Sequence, residues 1–287
     1  MLNKSSIMST LLATFVAVAM IPVAQAAIIP LDEDFDDDAG APPTTQGDDW
    51  TQTLDNGTGS AAWSIVDTGG GDNVYRASLS DSDDNFDNTI AGSSIAVTNL
   101  AGTQFTITSS FSFNDLVNST GQDRLRLNVV LFSSDAALSG NRMEVTFFAV
   151  DEFTPTNEGT IRIADVDGSN EFSSLSSGTL SAATGADYTW TITGSYAVPG
   201  DQTSDLTINA QLTDGTTTIS TSFTDDDGTI LAGDYIGFKN LLNHTDDEAS
   251  FSAEIDHETL NIVPEPATLA LLGLGGAVML GGRRRRA

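Results

Sequence analysis

Glu254-Ile255-Asp256-His257-Glu258 sets three carboxyl groups at alternate positions. On a β-strand such residues point to one face, and same-face neighbours can hold two carboxyls about 5–5.5 Å apart. A retaining glycosidase needs that separation between nucleophile and acid, so Glu254, Asp256 and Glu258 form one candidate catalytic set. A closing strand with a plain polar face fits the same pattern. Asp165-Val166-Asp167-Gly168-Ser169-Asn170-Glu171 arranges side-chain oxygens around a glycine turn, as hard-cation loops do, with Asp165, Asp167 and Asn170 as the calcium ligands. An Asp-Gly hairpin turn explains these residues equally well. Asp81, Asp83, Asp84 and Asp87 either bind calcium or form a solvated acidic loop. Sugar binding requires aromatic platforms beside hydrogen-bonding groups. Trp50, Trp63, Tyr75, Trp190, Tyr196 and Tyr235 are the candidates, with Trp50, Tyr75 and Tyr235 foremost and Trp50 expected as an exposed ring after Asp48-Asp49, whereas Trp190 alternates with Tyr188 and Ile192 and reads as core. His244 and His257 are the only histidines, and no Ser-His-Asp context or phosphate loop is visible. Cysteine is absent, which excludes thiol nucleophiles, zinc–thiolate sites and disulfides.

Whatever chemistry these groups perform, strands must position them. Period-two alternation runs through the chain. Leu125, Leu127, Val129 and Leu131 share a face, opposed by Arg124, Arg126 and Asn128. Phe105, Ile107, Phe111 and Phe113 form another such set, and so do Met143, Val145, Phe147 and Ala149. Further strands are expected around Trp63, Val74, Ile95, Ile161, Trp190, Ile208, Ile219 and Ile236, and from Phe251 to Ile262. Turn signals such as Thr213-Asp214-Gly215 and Pro199-Gly200 separate them. No helical periodicity appears between the two ends. About a dozen short strands at this spacing predict an all-β fold, an antiparallel two-sheet β-sandwich of the jelly-roll kind.

Charge narrows the partners. Of 40 acidic residues only Glu265 lies outside the body, and of 11 basic ones only Arg76, Arg124, Arg126, Arg142, Arg162 and Lys239 lie inside it. The body therefore carries 39 minus 6, or about 33, net negative charges. Such a surface repels nucleic acid and anionic lipid, and attracts divalent cations.

Both ends carry export signals. Lys4, the apolar run from Leu11 to Val23, and Ala24-Gln25-Ala26 make a signal peptide over residues 1–26, with Ala24 and Ala26 at the cleavage site. At the other end stand Pro264-Glu265-Pro266, an apolar run from Ala267 to Gly282, and Arg283, Arg284, Arg285 and Arg286. A helix over that run spans roughly 24 Å, short of the ~30 Å hydrocarbon core, and its glycines weaken it as a permanent anchor. Tripeptide, short apolar helix and arginine cluster in that order closely resemble the PEP-CTERM sorting signal, which an exosortase recognises and processes at the inner membrane. The resemblance covers residues 263–287. It implies transient anchoring in the inner membrane, then an extracellular or cell-surface protein in the polysaccharide layer, with signal peptidase and exosortase as passing partners.

Between these signals, residues 27–262 are expected to form one domain. Asp34-Phe35 at its start and Gly233-Asp234-Tyr235-Ile236-Gly237-Phe238 to Ala253-Glu254-Ile255-Asp256 at its end resemble the edges of concanavalin-like (laminin-G-like) jelly rolls, in which the first and last strands pair. That pairing implies a third candidate calcium site between Asp34 and Asp256. Glu254, Asp256 and Glu258 also resemble the E-x-D-x-E strand of laminarinase-type glycoside hydrolases, although those enzymes place it centrally and usually have an apolar residue at the position of His257. The expected role is structural or glycan-associated, without catalysis. The alternative is a glycosidase or lyase acting on the surrounding polysaccharide.

Overall fold

A computed structural model describes residues 31–33, 35, 50–55, 59–69, 72–81, 88–97, 103–117, 124–166, 171–198, 201, 203–225, 233–243 and 249–263. Alternating apolar residues give strands, and the strands form two antiparallel sheets packed face to face. The first sheet runs β13 (Thr218–Asp225), β12 (Leu206–Thr213), β11 (Asp187–Tyr196), β6 (Gln104–Val117), β15 (Ala249–Val263), β4 (Asp72–Asp81) and β3 (Ser60–Gly69). The second runs β10 (Glu171–Leu175), β9 (Ile161–Val166), β8 (Arg142–Asp151), β7 (Arg124–Ser133), β14 (Tyr235–Asn243), β5 (Asn88–Ala96) and β2 (Thr51–Asp55). No helix occurs among the described residues.

β15 organises the first sheet. One side pairs with β6 from Ser250 to Val263. The other pairs with β4 as far as Ile255, and then with β1 (Leu31–Glu33), which covers Glu258 to Leu260. The first and last strands of the domain therefore lie side by side, as the jelly-roll resemblance implies.

The alternating sets point inward as expected. Leu125, Leu127, Val129 and Leu131 on β7 and Phe105, Ile107, Phe111 and Phe113 on β6 belong to one buried apolar cluster between the sheets. Aromatic contacts tie the layers together, with Phe113 on β6 lying 6.1 Å from Phe147 on β8, and Tyr75 on β4 lying 6.1 Å from Trp50, the residue before β2. The hairpin between β12 and β13 is built as its sequence implies. Gly215 takes a left-handed φ of 82°, and Asp214 Oδ1 accepts bonds from the amides of Thr216 and Thr217 at 2.8 and 2.6 Å. Those bonds, the Thr217 one foremost, hold the Asp214 carboxyl below its ordinary range.

Candidate functional site

The carboxylates of β15 do not share a face. Phe251, Ala253 and Ile255 are buried, and then Glu258 and Leu260 are, so the inward set changes from odd to even numbers. The register against β6 explains it, because Ile255 pairs with Phe111 but His257 pairs with Ser110, leaving Asp256 as an extra residue. This β-bulge reverses every side chain beyond it. It sits where pairing with β4 has ended and pairing with β1 has not begun. Glu254 therefore lies on the outer face, taking a 2.7 Å bond from Arg76 Nε and a second, shorter contact from Nη2. Asp256 is exposed, and Glu258 is 1% exposed on the inner side, in register with the buried Ser109. The expected one-face triad is corrected accordingly.

Two of the three foremost aromatic candidates are core residues. Trp50, expected at the surface, is 2% exposed, wedged between Phe35, Tyr75 and Phe238. Tyr75 is fully buried, stacked 4.4 Å from Trp63, and its hydroxyl shares a 2.8 Å bond with Ser93 on the opposing sheet. Neither ring can meet a sugar; Tyr235, half-buried at the start of β14, is the third member. Trp190 is core, as its alternation implies.

Each expected calcium site keeps one described carboxylate. Asp165 is buried near the end of β9 on the second sheet, and Asp256 is exposed on the first. Asp167, Asn170, Asp34, Asp83, Asp84 and Asp87 lie outside the described residues, as do the signal peptide, Pro264-Glu265-Pro266 and the arginine cluster. Among the described residues no three carboxylate or imidazole groups converge on a point.

Two features of the outer faces were not foreseen. The first is on the first sheet. Cross-strand register lines up Thr259, Thr108, Thr191, Gln211 and Ser220 in one row and Asn261, Thr106, Thr193, Asn209 and Ser222 in the next. Neighbours in a row stand about 4.8 Å apart, and rows repeat about every 6.7 Å along the strands. These rows carry no charge, although the body carries about 33 net negative charges. Toward β4 the same face opens into a pocket of about 270 Å³, lined by Ser60, Arg76, Ser78, Asn114, Asp115 and Ser250 among others. There Ser250 Oγ donates to Asp115 Oδ2 at 2.5 Å.

The second feature is on the other sheet, where five of the body's six cations stand on the outer face. Arg142 Nε binds Glu144 at 2.7 Å, with Lys239 Nζ 3.7 Å from the same carboxylate. Arg124 Nε binds the buried Asp151 at 3.1 Å. Arg126 on β7 and Arg162 on β9 flank Phe148 on β8, each guanidinium 4.9 Å from the ring centroid. Burial, reinforced by repulsion from Arg124 and Arg162, pushes the Arg126 pKa down to about 10. Burial lowers Lys239 and Arg162 as well. The alternation of Arg124 and Arg126 with leucines was the signal available in sequence. That Arg142, Arg162 and Lys239 join them follows only from strand order.

Comparison with known proteins bears on the C-terminal end. Residues 263–286 match the PEP-CTERM protein-sorting motif. The chain carries this sorting signal, which implies export, recognition by an exosortase, and a surface or extracellular location. No curated protein matches the chain in sequence. Among solved structures, lectin II from Ulex europaeus is similar at 15% identity and a TM-score of 0.44, over 82% of this chain and 99% of that one. The carbohydrate recognition domain of Emp47p is similar at 14% identity and a TM-score of 0.39, over 82% and 95%. A GH43 glycoside hydrolase with endo-xylanase and exo-arabinofuranosidase activity is similar at 13% and 0.39, over 74% of this chain and 41% of its own. At these values neither sugar binding nor catalysis carries over from any of them.

Proposed function

We propose that the exported domain is a non-enzymatic, glycan-associated protein of the extracellular polysaccharide layer. The observation that carries this reading is the uncharged lattice of hydroxyls and amides on the outer face of the first sheet. Neutral sugars present hydroxyls that both donate and accept, and a regular array of Ser, Thr, Asn and Gln can exchange hydrogen bonds with them without desolvating charge. The sorting signal supports delivery to the compartment where such polymers lie. The rival reading, a glycosidase or lyase acting through Glu254, Asp256 and Glu258, requires carboxyls that converge on one bond. The bulge at Asp256 sends Glu254 and Glu258 to opposite faces, and Arg76 engages Glu254.

The lattice can be tested by charging it. Thr191→Glu with Thr193→Glu sets two like charges on adjacent rows of β11 and leaves the inward Trp190 and Ile192 untouched. Co-sedimentation with an insoluble neutral polysaccharide should fall at least tenfold while the melting temperature stays within a few degrees. Unchanged co-sedimentation would mean that the lattice does not hold the polymer.

Calcium belongs to the same proposal. Self-repulsion among about 33 net negative charges opposes the compact state, and no disulfide offsets it. A cation bound only by the folded domain adds about 2.7 kcal/mol at a hundredfold excess over Kd. Millimolar calcium should therefore raise the melting temperature by several degrees over sodium chloride of equal ionic strength, and Asp165→Ala with Asp167→Ala should reduce that gain. Identical melting curves in the two salts would strike calcium from the protein.

A further inference from the structure

We propose that the outer face of the second sheet holds a separate anion site, in which Arg126, with Arg124 and Arg162 beside it, takes the carboxylate of a hexuronate or the sulfate ester of a sugar. The carrying observation is Arg126 itself. Its Nε is buried without a hydrogen-bond partner, and its contact among the described residues is with the Phe148 ring. Neither neighbouring carboxylate bonds to Arg126: Asp151 accepts from Arg124 and the Thr154 amide through Oδ1, while its buried Oδ2 has no hydrogen-bond partner among the described residues, and Glu144 is bound by Arg142 with Lys239 nearby. A buried guanidinium nitrogen without an acceptor is unfavourable, and so is the mutual repulsion of three guanidiniums. An arriving oxyanion relieves both.

The geometry suits that ligand. Phe148 is fully buried between Arg126 and Arg162, so the ring fixes both planar forks before anything binds. Arg124 lies 4.9 Å over Phe153 and borders the same patch. Planar forks held in place match carboxylate and sulfate oxygens in pairs, which a lysine could not do. With its pKa at about 10, Arg126 keeps its charge at neutral pH. The rest of the domain repels polyanions, but that repulsion is screened beyond roughly 8–10 Å at physiological salt, while contacts inside the patch are screened less. Non-specific attraction therefore cannot mimic the site, and binding should be best at moderate rather than very low ionic strength.

The test is calorimetric titration of the secreted protein with trigalacturonate, with a sulfated galactan oligomer of similar length, and with neutral galactotriose. At least one anionic probe should bind, the two arms deciding between carboxylate and sulfate, and galactotriose should bind at this patch with neither strength nor sensitivity to Arg126. Arg126→Gln should weaken the anionic probe at least tenfold, and Arg126→Lys, which keeps charge but loses the fork, should weaken it several-fold. Failure of both anionic probes to bind the wild-type protein overturns the proposal. So does an affinity unchanged in both variants. Co-sedimentation of Arg126→Gln with neutral polysaccharide reports on the first sheet alone, so loss of this anion site and loss of the neutral-glycan reading give different results.

Discussion

Phe113→Ala should destabilise the domain by about 3–5 kcal/mol, the range for emptying a buried aromatic site. Phe113 is fully buried on β6 and touches rings from both layers. Phe147 lies across the sandwich at 6.1 Å, with Tyr188 at 5.4 Å, Phe251 at 5.7 Å and Phe111 at 5.5 Å. Removing the ring leaves a cavity that neighbouring strands, hydrogen-bonded on both sides, cannot close by shifting. For a domain of this size each kcal/mol shifts the melting temperature by about 2–4 °C, so a fall of roughly 10 °C is expected by calorimetry. Thr191→Val on the outer face of β11 should stay within about 0.5 kcal/mol. Equal melting temperatures for Phe113→Ala and the wild type would mean that the two sheets do not meet at this ring.

The second large effect concerns sorting. Replacing Arg283 to Arg286 with glutamine removes the four positive charges that follow a short apolar run. Such charges resist translocation, and a run of this length holds poorly in a bilayer without them. Cells expressing the variant should lose the membrane-held precursor and release protein that keeps residues 267–282, detectable as peptides by mass spectrometry. The wild-type protein should reach the outside without them, starting near Ala27 and ending near Pro264-Glu265-Pro266. Recovery of the 267–282 peptides from secreted wild-type protein would contradict processing at this signal.

Much of the architecture was legible because alternation is a local property. Leu125, Leu127, Val129 and Leu131 face inward and Arg124 and Arg126 outward for reasons contained in eight consecutive residues. The short edge strands β2 and β10 escaped notice. Thr51–Asp55 and Glu171–Leu175 each pair with a single neighbouring strand and lack a clean apolar alternation. Trp50 misled because its local context, Asp48-Asp49, is polar, whereas its burial comes from Phe35, Tyr75 and Phe238, distant in sequence. The carboxylate strand misled for a similar reason. Alternation predicts one face for Glu254, Asp256 and Glu258 only if register is continuous, and the bulge arises where β15 exchanges one partner strand for another. The hydroxyl rows and the arginine patch are products of strand order, each assembled from segments that look like ordinary polar faces when read singly.

Binding of polysaccharide without cleavage is what the proposed function requires of the exported domain. Secreted protein should be incubated with the extracellular polysaccharide of the producing cells, and both the bound fraction and the new reducing ends or unsaturated sugars measured in the same tube. Binding should saturate, and product formation should stay at the level of a protein-free control, unchanged by Glu254→Gln. Turnover abolished by Glu254→Gln, or no binding to the polymer at any concentration, would contradict that function.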